Sequence, residues 1–354
     1  MTGAVFLGPQ RSPTLDRVVR ALHVDGPVAT ITAGWQEREV DDSELDDQLD
    51  GRSVNLRLYE RWGNVRERDP EFAAATRRRR DELLELRQTY LIRLRHALAA
   101  VRDLAPDVEE SPSTSASVTL ESGSSSGDVA IERGGGDVAT VDVEAVESAR
   151  HPTPRRRRSS VRAEARTRAI EDVRRIDAEH LARLDQHNAE FIARWAPHER
   201  DAIAHHRAEI ATTLHQSDAL AIAGGHIAVL LGLVHLFTVD PPDRLPIVAW
   251  SAGAMALTEL VMIYHDRTVH GPSDPELYGR GLGVVKEIVA VPHARTRLML
   301  GDTDRMAVLH ARFAPARCVL LDEGARLDVG SYGELPAHAV VVRPDGRIGA
   351  RIPA

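Results

Sequence analysis

Residues 247–257 read IVAWSAGAMAL, and this stretch decides the fold. Four apolar residues form a run typical of a buried strand in a parallel sheet, and the run leads directly into Ser251. Alanine and glycine follow, and such small residues allow a sharp turn and the close approach of a helix. The stretch therefore predicts a strand, a turn at Ser251 and a helix that begins at residue 252 and covers 252–264.

The flanking sequence repeats this unit. Residues 218–225, DALAIAGG, predict a strand that ends in a Gly-Gly turn, with a helix over 226–237. Further predicted elements are strands at 287–293 and 317–329, and a closing hairpin at 339–352 whose turn is Pro-Asp-Gly. Near the N-terminus, strands at 4–8 and 27–34 enclose a helix at 14–23, which predicts a parallel pair.

These patterns predict an α/β fold with a mostly parallel sheet flanked by helices. The predicted α/β domain comprises residues 1–37 and 217–354, and a helical insertion comprises 38–105 and 161–216. Within the insertion, 53–62 reads as a third strand, and Asp69 with Pro70 predicts the start of a long helix over 69–104. Residues 106–160 are rich in Ser, Gly, Asp, Glu and Pro, which predicts a disordered linker.

The bulk composition limits the classes of function. The chain has 354 residues and a formal net charge of −8, which disfavours nucleic acid as a partner. Cys318 is the one cysteine, so no intramolecular disulfide forms, and a reducing, cytoplasmic location is expected. The N-terminus lacks the pattern of a signal peptide. Two long apolar runs are interrupted by other residues: 219–237 contains Gly-Gly-His, and 245–264 contains Glu259. Both runs are typical of buried strands and helices, so no membrane association is expected.

Chemically capable residues stand at four predicted strand ends: Gly224 with Gly225, Ser251, His293 and Glu323. In an open α/β sheet the carboxyl ends of strands form the site. A serine hydroxyl becomes a nucleophile when a histidine takes its proton, and an acid orients that histidine. The pattern favours Ser251 as nucleophile and His293 as base, with Glu323 or Asp266 as the acid.

The same turns supply hydrogen-bond donors for an oxyanion. The residue after a nucleophile at a strand-to-helix turn presents its backbone N–H to the site, which here is Ala252. A second donor is expected from the turn at Gly224 and Gly225. Four histidines between 198 and 215 lack the spacing of a zinc-binding motif, so no metal and no other cofactor is expected.

Five segments follow one another along the chain: AGGH, PIVAWSAGA, GLGVV, VPHARTRL and LLDEGARL. In these segments the chain resembles the dipeptidase E and cyanophycinase family of serine peptidases, peptidase family S51. The resemblance covers roughly 218–350 and the first two strands, and implies a class I glutamine amidotransferase-like, flavodoxin-like fold. It matches Ser251 to the nucleophile, His293 to the base and Glu323 to the acid of the cyanophycinase branch. Asp266 is the candidate for the aspartate of the dipeptidase E branch, but the longer match of LLDEGARL favours Glu323.

Two departures from the family pattern affect the pocket. His226 replaces the Asn or Asp that follows Gly-Gly, and Ala249 replaces the glycine before Trp-Ser. The expected function is a serine hydrolase, a peptidase that cleaves small or aspartyl-containing peptides through an acyl-enzyme. The alternative is a catalytically inactive protein that binds a partner or ligand through its helical insertion, which is also a candidate homodimer surface. A glutamine amidotransferase is disfavoured because Ser251, and no cysteine, occupies the turn.

Overall fold

A six-stranded sheet lies at the centre of the fold, which is mixed α/β. The computed structural model describes residues 3–10, 13–105, 154–266 and 273–350, with the backbone alone for 154–159. Most of the predicted linker, residues 106–153, lies outside the described residues. The strands are β1 (Ala4–Leu7), β2 (Val28–Ile31), β3 (Ser53–Asn55), β4 (Ala219–Ile222), β5 (Ile247–Trp250), β6 (Leu260–Ile263), β7 (Glu276–Arg280), β8 (Ile288–Pro292), β9 (Arg317–Leu321), β10 (Arg326–Val329), β11 (Val340–Val342) and β12 (Ile348–Ala350).

Helices cover the sheets and form the insertion. They are α1 (Leu15–Ala21), α2 (Ser43–Gln48), α3 (Leu58–Arg68), α4 (Pro70–Asp103), α5 (Pro154–Trp195), α6 (Asp201–Gln216), α7 (Ile227–Leu236), α8 (Ala252–Leu257), α9 (Ala294–Arg297) and α10 (Thr303–Phe313). Short 3-10 turns occupy Ala33–Arg38 and Pro197–Glu199. None of the helices in the described part of the chain is both long and apolar enough to cross a bilayer.

The central sheet has the strand order β10-β1-β5-β4-β2-β3. All its pairs are parallel except β1 with β10. The prediction that the first two strands pair directly is wrong, because β5 and β4 lie between them. Every residue of β1, β2, β4 and β5 is buried, as expected for strands covered on both faces.

A second sheet, of order β12-β11-β9-β8, carries the C-terminal strands. Strands β8 and β9 are parallel, and Pro292 lies opposite Leu321 at their carboxyl ends. Strands β11 and β12 form the antiparallel hairpin that the Pro-Asp-Gly turn predicts. The parallel pairing of β8 with β9 brings the residues that follow these two strands to one edge of the sheet.

The helix predicted over 252–264 is too long. Helix α8 ends at Leu257, and Leu260–Ile263 is instead strand β6, paired antiparallel with β7. The Thr258 hydroxyl bonds the carbonyls of Met255 and Leu260, each at 2.8 Å, which satisfies the chain where the helix stops. The β-branched residues Val261 and Ile263 then favour a strand.

The segment after β2 also differs from its prediction. The strand expected over 53–62 covers only Ser53–Asn55, and α3 begins at Leu58 after Arg57, which has a left-handed φ of 49°.

The segment 317–329 holds two strands, β9 and β10, separated by a turn. Such short elements have too few residues to establish a period.

Helices α4 and α5 form a long antiparallel pair that packs against α10 and β7. Asp69 caps α4 as predicted, because its Oδ1 accepts the Phe72 N–H at 2.9 Å with Pro70 in the first turn. Helix α5 begins at Pro154, seven residues before the position where the helical pattern resumes. On α4, Tyr90 and Leu94 are buried, while Leu84 is 45% exposed.

Candidate active site

Ser251 lies at the sharp turn between β5 and α8. Its backbone has φ 52° and ψ −122°, a conformation that is strained for any residue with a Cβ. This geometry turns the chain from the strand into the helix and leaves the side chain half-buried at the carboxyl edge of the central sheet. A serine held in this way is the geometric mark of a nucleophile elbow.

His293 approaches Ser251 from the second sheet. It follows Pro292 at the end of β8 and adopts a left-handed conformation, with φ 56° and ψ 30°. The Ser251 Oγ lies 3.0 Å from His293 Nε2, which is hydrogen-bond distance. The backbone N–H of His293 donates to the carbonyl of Leu321 at 3.1 Å, so β9 fixes the position of this turn. The two residues are therefore 42 positions apart in the chain but adjacent at the meeting point of two sheets.

Gly224 gives Ser251 the space it needs. A Cβ at position 224 would lie 2.8 Å from the Ser251 Cβ, which is closer than real Cβ atoms approach one another. At Gly253, a Cβ would lie 2.2 Å from the carbonyl oxygen of Ile222, because α8 crosses β4 closely. The small residues after Ser251 are therefore explained by helix-to-strand contact.

The turn at Gly225 is connected to the loop after β2. Gly225 has φ 118°, and a Cβ there would lie 2.4 Å from the carbonyl oxygen of Gly34. That same oxygen accepts the His226 N–H at 2.7 Å. His226 also caps α7, since its Nδ1 accepts the Val229 N–H at 3.4 Å.

The turns next to Ser251 contain backbone N–H groups that have no carbonyl partner in the described part of the chain. Ala252 is buried in the first turn of α8, where backbone N–H groups have no partner within the helix. Among the described residues, no backbone carbonyl accepts from the N–H of Gly224 or Gly225. The N-terminus of α7, a helix of ten residues, begins directly after this turn and adds the positive end of its dipole. The arrangement suits the stabilisation of a negative charge near Ser251.

The two candidate acids occupy different surroundings. Glu323 is exposed in the turn after β9, and within the described residues its carboxylate makes no hydrogen bond to the His293 ring. Asp266 is buried, and its carboxylate accepts from Arg305 Nη2 at 2.6 Å, Arg305 Nε at 3.0 Å and the Met299 N–H at 3.1 Å. Asp266 therefore serves to hold Arg305 and the loop after α9.

The sequence did not indicate two residues that hold the His293 turn. The hydroxyl of Tyr264, the residue directly after β6, donates to the carbonyl of Pro292, and burial raises the pKa of Tyr264 well above its usual value. Asp322 Oδ1 accepts the Arg295 N–H at 3.0 Å, just after His293. Both contacts depend on strand pairing over long separations, so local patterns do not reveal them.

The other candidate groups lie away from this site. Cys318 is fully buried in β9, and burial raises the pKa of its thiol to about 12, which leaves it unreactive. His206 is buried in α6, with its ring 2.8 Å from Arg61 Nη1 and 3.0 Å from Asn64 Oδ1. In the ranges that the structure describes, no group of three His, Cys, Asp or Glu side chains has the geometry of a metal site.

The fold and the site define a mixed α/β protein with a serine and a histidine in contact where two sheets meet. The sequence model of peptidase family S51 matches residues 191–331, a range that includes Gly224, Gly225, Ser251, His293 and Glu323. The match confirms the resemblance to peptidase family S51 and supports a peptidase with a peptide substrate. A comparison with curated proteins finds no match.

Proposed function

We propose that the protein is a serine peptidase in which Ser251 is the nucleophile and His293 is the general base. The observation that carries the proposal is the 3.0 Å contact between Ser251 Oγ and His293 Nε2, made by a serine in a strained turn conformation. Strain of this kind costs about 1–3 kcal/mol and persists where function requires it. The family match independently supports peptide hydrolysis.

The proposed reaction proceeds through an acyl-enzyme. His293 Nε2 takes the proton of the Ser251 hydroxyl as Oγ forms a bond to the carbonyl carbon of the scissile amide. The oxyanion that develops is stabilised by the N–H of Ala252 and by the N–H groups of the Gly224–Gly225 turn. His293 then gives its proton to the leaving amine as the C–N bond breaks. Water, activated by His293, hydrolyses the ester and restores the hydroxyl.

Glu323 is the proposed acid that orients His293. Strand β9 runs beside β8, so the turn after Leu321 adjoins the turn that carries His293, and the family resemblance matches Glu323 to the acid. Asp266 is disfavoured because three hydrogen bonds from Arg305 and Met299 already occupy its carboxylate. We propose small or aspartyl-containing peptides as substrates on the basis of the same resemblance, and a catalytic unit formed by 1–37 and 217–354.

Hydrolysis by single variants tests this proposal. With aspartyl dipeptides and β-aspartyl isopeptides as substrates, Ser251→Ala and His293→Ala are each expected to lower kcat by about 10⁶-fold, because the two groups act as a unit. Glu323→Gln is expected to lower kcat on the order of 10²- to 10⁴-fold, and Asp266→Asn to lower stability more than kcat.

Matched controls separate chemistry from folding. Ser43→Ala, at the exposed start of α2, and His96→Ala, exposed on α4, remove the same functional groups away from the site and are expected to leave kcat unchanged. Circular dichroism and thermal melting establish that each variant is folded. Wild-type turnover that survives Ser251→Ala would contradict the proposal.

A further inference from the structure

Gln36 has the same unusual backbone conformation as Ser251. It has φ 59° and ψ −124° within the 3-10 turn Ala33–Arg38, against 52° and −122° at Ser251. Glycine tolerates this conformation, whereas a glutamine is strained by it. Gln36 is thus a strained residue with a polar side chain outside the Ser251–His293 pair.

The turn that carries Gln36 belongs to the same edge of the sheet as Ser251. It follows β2, and β4 lies between β2 and β5. Gly34 contacts the Gly224–Gly225 turn, since its carbonyl accepts the His226 N–H at 2.7 Å. Gly224 in turn packs against Ser251. A continuous run of close backbone contacts therefore connects Gln36 to the nucleophile.

A buried anchor keeps this turn in place. Glu39 is 1% exposed, and its Oε2 accepts the Glu60 N–H at 2.8 Å at the start of α3. Its carbonyl accepts from Asn55 Nδ2 at 3.2 Å and from the Thr32 hydroxyl at 3.3 Å. The Gln36 carbonyl also accepts the Glu39 N–H at 2.8 Å. The surroundings thus hold the strained residue rigidly, as a binding group requires.

The side chain of Gln36 is half-buried at the sheet edge, and within the described residues its amide group makes no hydrogen bond. A primary amide carries both donors and an acceptor, which complements a peptide group. Strands β5 and β2 are two spacings apart, about 9.6 Å. An extended peptide covers that distance in about three residues. Because the glutamine side chain extends from the backbone, fewer residues of peptide are needed to reach it.

We propose that Gln36 is a substrate-binding residue that hydrogen-bonds a peptide group one or two residues from the scissile bond. The inference rests on the proposed peptidase function of Ser251. Gln36 is not a catalytic group for bond cleavage, and its contribution is to affinity and to the register of the bound peptide. The glutamine is retained in a conformation that favours glycine because its side chain contacts the substrate.

Gln36→Gly tests the inference because glycine removes both the side chain and the strain. The variant is expected to melt at a higher temperature than the wild type, while KM for aspartyl peptides of three and four residues, which carry a peptide group beyond the scissile bond, rises about 10-fold with kcat little changed, as for one lost hydrogen bond. Labelling of Ser251 by a small fluorophosphonate is expected to stay within about twofold of the wild-type rate, since that probe does not reach Gln36.

His23→Gly is the matched control. His23 also has a left-handed φ, 53°, and is exposed after α1, so its replacement relieves strain without a change in KM. If Gln36→Gly is labelled and keeps the wild-type KM, Gln36 has no substrate role and the inference is overturned while the proposed function stands. If the wild type is neither labelled nor active, the proposed function fails and the inference fails with it.

Discussion

Ser251 and its glycine neighbours illustrate how close contacts constrain residue identity. Ser251 adopts a backbone conformation that a tight turn supplies, and that turn leaves no space for a Cβ at position 224 or 253. Gly232, inside α7, is different, because no atom lies within 4 Å of a Cβ placed there. Glycines that look alike in the sequence thus have opposite structural meanings.

Alanine substitutions at these glycines are expected to change the free energy of unfolding in opposite directions. Gly253→Ala is expected to destabilise the fold by about 1–3 kcal/mol through overpacking against Ile222. Gly224→Ala is expected to lower kcat by displacing Ser251, with a smaller loss of stability. Gly232→Ala, the control, is expected to stabilise by about 0.5–1 kcal/mol. Urea denaturation and kcat measurements check all three, and a stabilising Gly253→Ala would contradict the packing of α8 on β4.

At the scale of elements, a buried polar cluster fastens the α4–α5 pair to the rest of the fold. Arg312 of α10 donates to both carboxylate oxygens of Asp177 of α5, at 2.6 and 2.7 Å. Tyr90 of α4 joins the cluster by donating to Asp177 at 2.7 Å and accepting from Arg312 at 2.9 Å. Its hydroxyl also accepts the Leu277 N–H of β7 at 3.0 Å. Four elements distant in sequence therefore meet at one satisfied network.

His180 makes this junction sensitive to acid. Its ring stacks on Tyr90, with centroids 4.0 Å apart, and burial lowers the pKa of His180 to about 4, although Asp177 opposes and Arg183 and Arg87 reinforce the shift. A depressed folded-state pKa means that the full stability is present above about pH 6.5 and is lost as the pH falls toward 4.

His180→Phe keeps a stacked ring but removes the titration. Between pH 7 and pH 4 the variant is expected to lose less stability than the wild type, by up to about 3 kcal/mol. His96→Phe, exposed on α4, serves as the control and is expected to follow the wild type. Urea denaturation at several pH values measures the difference. Parallel stability curves for His180→Phe and the wild type would show that His180 does not titrate with folding.

Much of the fold was predictable from local pattern, and the errors have physical causes. Strand β5 and the turn at Ser251 follow from an apolar run that meets small residues, and the cap at Asp69 follows from its position before Pro70. The sequence of strand β6 predicts a helix wrongly because a fully apolar run of this length fits either period. Its partner β7, ELYGR, shows no alternation at all. The place of β4 and β5 between β1 and β2 depends on pairing across 191 residues from Val28 to Ala219 and across 243 residues from Ala4 to Ile247, which no local pattern encodes.

The candidate site was predictable to a similar degree. Ser251 and His293 stand at strand ends in the sequence, and the structure brings them together at 3.0 Å. The role of Glu323 stays a prediction. Comparison of kcat for Glu323→Gln and Asp266→Asn is the test that distinguishes the two candidate acids. Gln36 is not predictable from the sequence because its distinguishing feature is a backbone conformation, and the residues around it, AGWQER, form no recognisable motif.

At the scale of the whole molecule, the site forms where two sheets meet. The central sheet supplies Ser251 and the Gly224–Gly225 turn, and the second sheet supplies His293 and carries Glu323, the proposed acid. The family match covers both contributions, while the first three strands and helix α4 lie outside residues 191–331. The α4–α5 pair is joined through Arg312 to the side of the molecule that holds the second sheet. Loss of the α4–α5 pair is therefore expected to disturb the His293 turn before the Ser251 turn.

Identification of the residue modified by a fluorophosphonate tests the central claim most directly. After exposure of the full chain to the probe, intact-mass measurement and peptide mapping are expected to find a single adduct on Ser251, absent from Ser251→Ala and slowed by several orders of magnitude in His293→Ala. Ser43→Ala is expected to label as the wild type does. An adduct on another residue, or no adduct on folded wild-type protein, would contradict the account.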